Sequence, residues 1–318
     1  MSWTASRVAA LLLAGLVAAC SGGASGGEDV AESEDELRTT YGDLLTTLEA
    51  QDLDRWVAVR SALKAGFDRI CGDTICGGDY SNLTTVRLAC SSTTKARKLK
   101  DCTWVLGGSI EYVAGATGKL SSEARVFTCK IPVAGSAKSM LETLHGAGDD
   151  ALHTALPATG KSFYDGLVDC FAGVVGPPPP EASSEESYTD LETFSWNAGE
   201  AQGLAWFETT RRLAKGFDDA CGDSFCEGEY PDIAPLRFAC SVKIDTKRVS
   251  RCSWTFAAAE LSVDSRGRVV ANTTTKRCAV DISAQATALA TALQGPDPLH
   301  ALLPGKKTSI YDALIGCL

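Results

Sequence analysis

The stretch WVAVRSALKAGFDRICGDTIC (residues 56–76) recurs as WFETTRRLAKGFDDACGDSFC (residues 206–226), and the two align without a gap. Both contain a tryptophan, a Gly-Phe-Asp step and a Cys-Gly-Asp step at the same places. Four later cysteines of the first copy also have a counterpart about 150 residues further on, in the pairs Cys90/Cys240, Cys102/Cys252, Cys129/Cys278 and Cys170/Cys317. Self-similarity at one long period is the mark of a repeated structural unit. The sequence therefore predicts one module present twice in tandem.

Composition limits the class of protein. The chain has 318 residues, of which 45% are hydrophobic and 22% are charged. A multi-spanning membrane protein would be more apolar, and a fibrous or disordered chain would contain more Gly and Pro. We therefore expect one or two globular domains with substantial hydrophobic cores.

The N-terminus is typical of a secretory signal. One positive charge, Arg7, precedes an apolar run from Val8 to Val17 that is too short to span a membrane as a stable helix. The tetrapeptide Val17-Ala18-Ala19-Cys20 that closes this run resembles the lipobox of bacterial lipoproteins. The resemblance implies a signal peptide of residues 1–19 and a diacylglycerol on the thiol of Cys20.

The segment after this cysteine suits an anchored protein. In the segment of residues 20–33, Cys20 is followed by a run of Ser, Gly and Ala that is typical of a flexible tether. Ser21 occupies the place where an aspartate would favour retention in the inner membrane, so the resemblance implies an exported protein anchored to the outer membrane. The alternative is an ordinary cleaved signal peptide followed by an unmodified cysteine.

The remaining cysteines indicate a disulfide framework. Thirteen cysteines less Cys20 leave twelve, six in each module, at Cys71, Cys76, Cys90, Cys102, Cys129, Cys170, Cys221, Cys226, Cys240, Cys252, Cys278 and Cys317. In an exported protein this pattern predicts three disulfides per module, because the spacing lacks the knuckles of zinc sites. Cys90 and Cys102 lie symmetrically about a hairpin centred near Ala96, which favours their pairing. Cys71–Cys76 and Cys129–Cys170 would complete the set, one of fifteen connectivities that six cysteines allow.

The acidity of the chain belongs to its linking segments. A Pro-rich and acidic linker, residues 175–187, separates module 1 (34–174) from module 2 (188–318). Residues 21–53 contain nine acids and one base, and residues 174–203 contain six acids and no base. The formal net charge of −10 therefore predicts nothing about what the modules bind.

Within each module the apolar spacing changes from helical to alternating. Trp56, Leu63 and Phe67 lie on one stripe at helical spacing, and three later stretches alternate as strands with one buried face do. Two helical segments follow, from Ala137 to Leu144 and from Phe163 to Cys170. The prediction is an α+β fold of two tandem copies of a disulfide-rich module, each a helix, a three-stranded antiparallel meander and two helices.

Acidic side chains crowd the loop that follows the first helix of each module. Oxygen ligands in a disulfide-linked loop suggest a calcium site as one alternative, formed by Asp73, Asp79, Asp223, Glu227, Glu229 and Asp232. The spacing does not match an EF-hand loop. The other interpretation is a tight turn whose aspartates cap backbone amides. Apart from this calcium alternative, we expect no cofactor.

His153 and His300 share the context Leu-His-x-x-Leu-Pro, and each lies a few residues before a Ser/Asp pair. A hydrolase using His153, Asp165 and Ser162 would need a nucleophile elbow or an oxyanion loop, and neither signature is present. Shared packing in the two copies is the alternative explanation.

Residues 160–162 resemble the end of a phosphate-binding loop, but Ala155 replaces its first glycine, so we expect no nucleotide site.

Two predicted hairpin tips are basic. We define the first tip by Lys95, Arg97, Lys98 and Lys100, and the second tip by Lys243, Lys247, Arg248 and Arg251. Such tips could contact an anionic surface such as lipid headgroups, a cell-wall polymer or the protein's own acidic linkers. They could also serve only to keep strand edges from pairing with other proteins. No aromatic platform accompanies the charges, so nucleic acid is not expected.

These observations favour a lipid-anchored protein of the cell envelope that is not an enzyme. Its membrane contact would be the lipid on Cys20, and its partner would be an envelope protein or an anionic polymer. Two modules on linkers would suit bivalent attachment, since the first contact raises the effective concentration of the second. The alternatives are a secreted hydrolase using the surroundings of His153 and His300, and a calcium-binding envelope module.

Overall fold

The computed structural model describes residues 39–70, 80, 82–174, 187–221, 225 and 229–318. The predicted signal peptide and tether lie outside the described residues, and so do Cys71, Cys76 and Cys226. Residues 175–186 of the predicted linker also lie outside the described residues, and only its last residue, 187, is described. Residues 40–318 belong to one compact unit. We refer to residues 40–174 as the first half and to residues 187–318 as the second half.

The described residues of the first half form a four-stranded antiparallel sheet with four α-helices. Its elements are β1 (Tyr41–Asp43), α1 (Leu44–Thr47), α2 (Ala50–Ile70), β2 (Thr84–Thr93), β3 (Leu99–Val113), β4 (Leu120–Ile131), α3 (Ala137–Ala147) and α4 (Phe163–Phe171). The strands lie in the order β1-β2-β3-β4, each paired with its neighbour in sequence.

The second half has a five-stranded antiparallel sheet with the same order of neighbours. Its elements are β5 (Tyr188–Asp190), α5 (Leu191–Ala198), α6 (Glu200–Ala220), β6 (Asp232–Lys243), β7 (Arg248–Val263), β8 (Val269–Val280), β9 (Ala284–Gln285), α7 (Ala286–Ala292) and α8 (Ile310–Ile315). The order is β5-β6-β7-β8, and β9 pairs with β7. Helices with two antiparallel sheets confirm the predicted mixture of helix and strand.

Each sheet begins with a short strand that the sequence pattern does not predict. β1 pairs with β2 and β5 pairs with β6, three residues in each case. Both strands end in an aspartate that caps the following helix: Asp43 Oδ1 accepts from Leu45 N at 2.7 Å, and Asp190 Oδ1 accepts from Thr193 N at 2.9 Å. A three-residue strand is too short for an alternating pattern to be visible.

The helix-facing side of each sheet carries the disulfides. In the first half, Trp104 packs between Phe67 and Phe163, with ring centroids 5.8 and 6.1 Å apart. The four described pairs are Cys90–Cys102, Cys129–Cys170, Cys240–Cys252 and Cys278–Cys317. Each pair has at least one fully buried cysteine. Cys221 is also disulfide-bonded.

The opposite side of each meander is also buried, because the two sheets pack face to face. The prediction of one buried face was therefore incomplete. The residues of this second face are small or carry hydroxyls, and they include Ala89, Ser91, Thr103, Val105, Ala239, Ser241, Ser253, Thr255 and Ala257. Small side chains let the sheets approach closely. At the closest point, a Cβ added to Gly107 would overlap the Cβ of Ala257.

At each end of the sheets, a tyrosine of one half packs against a glycine in a turn of the other half. Gly267, in the turn between β7 and β8, has φ +78°, and a Cβ added there would lie 2.5 Å from the ring of Tyr41. Gly118, in the turn between β3 and β4, has φ +66°, and a Cβ added there would lie 2.5 Å from the ring of Tyr188. The two halves are thus held together by direct contacts.

Candidate functional site

The first basic tip contains one arginine with a structural task. Arg97 has φ 51°, and its carbonyl oxygen accepts a hydrogen bond from Ala137 N at the start of α3. Its guanidinium group pairs with Glu49 at 2.8 Å and donates to the carbonyl oxygen of Thr47 at 3.1 Å. Arg97 therefore holds the tip against the helices.

The lysines of the first tip are free of ion pairs among the described residues. Lys95, Lys98 and Lys100 are all exposed. Lys100 Nζ lies 5.9 Å from the centre of the Tyr41 ring, in a cation–π contact. These three side chains remain available for an external anion.

The second tip divides in the same way. Lys247 has φ 55°, and its carbonyl oxygen accepts from Ala286 N at the start of α7. Lys243 is paired with Asp245 at 3.2 Å. The exposed cations without an ion pair in the described part of this tip are Lys247, Arg248 and Arg251.

The structure places the two tips at opposite ends of the sheets. Lys100 of the first tip and the nearby Ser91 contact Gly267, which follows the end of β7. The second tip lies at the start of β7, with Lys243 and Lys247 before the strand and Arg248 and Arg251 in its first residues. This strand has sixteen residues, so the tips lie roughly 50 Å apart at 3.2–3.4 Å per residue. They do not form one common surface.

Both histidines lie at the rim of an open surface pocket. His300 lines a cavity of about 510 Å³ with Tyr311, and His153 lines one of about 290 Å³. Each ring packs against the tyrosine of the following helix, with centroids 4.6 Å apart for His153/Tyr164 and 4.5 Å for His300/Tyr311. His300 Nδ1 also lies 3.0 Å from Asp297. The two histidines therefore pack in the same way in both halves, against the tyrosine of the following helix.

Ser162 is part of a helix cap. Its hydroxyl donates to Asp165 Oδ2 at 2.8 Å and accepts from Asp165 N at 3.1 Å, while Ser162 N donates to the same carboxylate at 2.7 Å. These bonds to backbone and hydroxyl hold the pKa of Asp165 below its ordinary value. Ser309 and Asp312 form the same box at the start of α8. The geometry gives the hydrolase alternative no support from this serine.

We expect Ser162→Ala to lower the free energy of unfolding by about 1 kcal/mol, the usual cost of losing a helix N-cap. Urea unfolding measures the difference, with the exposed Ser121→Ala as the matched control. An unchanged stability, together with an ester hydrolysis that both Ser162→Ala and His153→Ala abolish, would contradict the capping assignment.

The calcium alternative stays a prediction, because only two of its six residues are described. Asp232 is paired with Arg87 of the other half at 3.0 Å, and Glu229 is exposed. Asp73, Asp79, Asp223 and Glu227 lie outside the described residues. Within the described ranges, no three His, Cys, Asp or Glu side chains are grouped so that they could hold a metal ion.

The sequence analysis missed a buried carboxylate between the sheets. The side chain of Glu111 is 3% exposed. Its Oε1 accepts from Ser109 Oγ at 2.6 Å and from Ser122 Oγ at 3.1 Å, and its Oε2 lies 3.7 Å from Arg237 Nε. Burial raises the pKa of Glu111, and the hydroxyls and Arg237 only partly offset it.

In the sequence, Arg237 and its counterpart Arg87 could have indicated buried carboxylates between the sheets. Both copies keep this arginine on the strand face opposite the disulfide, where a charge needs a partner. In the structure each reaches a carboxylate of the other half, Arg237 to Glu111 and Arg87 to Asp232.

Stability should depend on pH through Glu111. Because the folded state binds the proton more tightly than the unfolded state, the free energy of unfolding falls as pH rises from about 4.3 through the raised pKa. We expect Glu111→Gln to be more stable than the parent at about pH 7 and equal to it at about pH 4. Urea unfolding at both pH values tests this, with the exposed Glu123→Gln as control. A variant less stable than the parent at neutral pH would mean that the Arg237 contact outweighs burial.

Among the described helices, none has the length and apolar character needed to cross a membrane. Comparison with protein-family models, with curated proteins and with solved structures gave no match to this chain. The candidate site therefore rests on its geometry alone.

Proposed function

We propose that this chain is an exported, lipid-anchored protein of the bacterial cell envelope that binds a partner without catalysis. Cys20 carries the lipid, and the outer membrane is its location. The folded part consists of two tandem six-cysteine modules, each a helix, an antiparallel meander and two helices. The partner is an anionic envelope polymer or a protein with an acidic surface.

One observation carries the proposal. Three described polar side chains that the sequence suggests for chemistry serve the fold: Ser162 and Asp165 cap a helix, and Asp232 neutralises Arg87. Lys95 and Lys98, in contrast, are exposed and have no ion pair among the described residues. Exposed charge of one sign without internal partners favours a long-range electrostatic role over catalysis.

The anchor is tested by metabolic labelling with an alkyne fatty acid in a bacterial host. We expect labelled protein in the membrane fraction, and loss of both the label and the membrane association for Cys20→Ser. Unlabelled wild-type protein released in soluble form would overturn the lipid anchor while leaving the binding proposal to its own test.

The binding function is tested by chemical crosslinking in intact cells, followed by capture of the full-length protein. The first-tip variant Lys95→Gln/Lys98→Gln/Lys100→Gln leaves Arg97 in place, because Arg97 holds the tip. The matched control, Arg55→Gln/Lys64→Gln/Arg211→Gln, removes three cations that are already paired within helices. We expect a discrete adduct that the tip variant loses and the control keeps. An adduct pattern identical in all three strains would overturn binding through the tip.

A further inference from the structure

We propose that each basic tip is only part of a composite basic end built from both halves, and that each end binds one polyanionic chain. One molecule then bridges two anionic strands. The inference rests on the proposed function and deepens it, since it names the ligand class and the number of sites. We call the two sites the first end and the second end.

The first end joins the first tip to a turn of the second half. Ser91 Oγ donates to the carbonyl oxygen of Gly267, and a Cβ added to Gly267 would lie 2.8 Å from Lys100 Cγ. Arg266 precedes this glycine, is exposed, and has no ion pair among the described residues. Arg266 therefore lies at the same end of the sheets as the first tip and is the neighbour in sequence of a residue that contacts Lys100, although 166 residues separate it from Lys100 in the chain.

The second end repeats this arrangement with the halves exchanged. The backbone amides of Ser187 and Tyr188 donate to the carbonyl oxygen of Gly115, at 2.9 Å each. A Cβ added to Gly118 would lie 2.8 Å from Ser241 Oγ, and Ser241 pairs in register with Arg251. Lys119, the next residue after Gly118, is exposed. Lys119 belongs to the first half and lies at the same end of the sheets as the cations of the second tip, which belong to the second half.

Each end thus gathers four exposed cations that form no ion pair within the described residues. They are Lys95, Lys98, Lys100 and Arg266 at the first end, and Lys119, Lys247, Arg248 and Arg251 at the second. The described pockets are lined by other residues. Clustered cations on turns recognise repeated negative charges by counterion release. This favours a phosphate- or carboxylate-bearing polymer.

The probe is inorganic polyphosphate, prepared in two lengths. Chains too short to cover roughly 50 Å can occupy only one end each. We expect isothermal titration to give two short chains per protein. Long chains should crosslink the protein into large assemblies visible by light scattering. One short chain per protein would overturn the two-ended arrangement.

Charge variants test whether the ends are composite. First-end variant Lys95→Gln/Lys98→Gln/Arg266→Gln should reduce the stoichiometry from two to one, as should second-end variant Lys119→Gln/Lys247→Gln/Arg251→Gln. Each variant should still bind one short chain at its unchanged end, and combining both sets should remove measurable binding, because the charge contacts supply the affinity. The matched control Arg55→Gln/Lys64→Gln/Arg211→Gln should bind as the parent does.

Arg266→Gln alone gives the sharpest comparison. Because Arg266 comes from the second half, a composite first end predicts that Arg266→Gln weakens short-chain binding at that end as much as Lys95→Gln does, roughly two- to fivefold for one charge contact. An effect of Lys95→Gln without any effect of Arg266→Gln would overturn the composite end.

The remaining outcomes separate this inference from the proposed function. A crosslinked partner in cells, with no polyphosphate binding at low salt, would overturn the polyanion ligand and leave binding to a protein. Binding to anionic lipid vesicles, with no binding to polyphosphate, would overturn it in favour of a membrane surface. Binding of polyphosphate that all variants retain would overturn the assignment to these ends.

Discussion

Gly107→Ala should lower the free energy of unfolding by about 3 kcal/mol, at the upper end of the range for overpacked cores. The added methyl group would overlap the Cβ of Ala257 on the facing sheet, and Leu236 Cδ2 would lie 3.0 Å away. Both neighbours belong to strands of the second half, so the sheets must separate to admit it. Urea unfolding with far-UV circular dichroism measures the loss.

The reciprocal exchange is the control. Ala257→Gly alone should cost about 1 kcal/mol, for one buried methyl group and a more flexible strand. In the double variant the methyl group moves from one sheet to the other, and the stability should return to within about 1 kcal/mol of the parent. Strictly additive losses would show that these two positions do not contact each other, and would refute face-to-face packing at this point.

Gly267→Ala should also cost about 3 kcal/mol, because two penalties combine at this turn. A φ of +78° strains any residue with a Cβ by about 1–2 kcal/mol. The new Cβ would also displace the ring of Tyr41 and the side chain of Lys100, which adds the cost of overpacking. Gly118→Ala, facing Tyr188, should behave similarly.

Gly160→Ala separates the two penalties. Gly160 has φ +66°, yet nothing lies within 4 Å of its added Cβ. We expect it to cost only the backbone strain, about 1–2 kcal/mol. Thermal and urea unfolding of the three variants make the comparison. Equal losses for Gly267→Ala and Gly160→Ala would mean that the tyrosine contact contributes nothing to the union of the halves.

Local pattern was enough to predict the three long strands, the three longer helices and the described disulfides of the first half. The pairing of Cys90 with Cys102 follows from their symmetric places on two strands of one hairpin, and the structure confirms it in direct register. The capping serines and the final helices also follow from short-range spacing. These features depend on contacts near in sequence or on one alternating face, which a single sequence displays.

The candidate site was only partly predictable. The lysines of the tips are visible as a cluster, but Arg266 and Lys119 lie far from those clusters in the sequence. Glu111 likewise gives no sign of burial, because its partner Arg237 lies 126 residues further on. Side chains brought together by sheet packing carry no local signature.

The sequence by itself determined the two copies of a helix, strand and helix pattern, the cysteines that can pair within each, and the acidic character of the segments between them. Periodicity and spacing encode these properties directly. Only the tertiary structure decided that the copies join through their second strand faces. Small residues such as Gly107 and Ala257 permit that contact, but the sequence does not reveal it, because a small side chain is found equally at an exposed position and in a tight interface. The same packing put the basic tips at opposite ends and completed each with a turn from the other half.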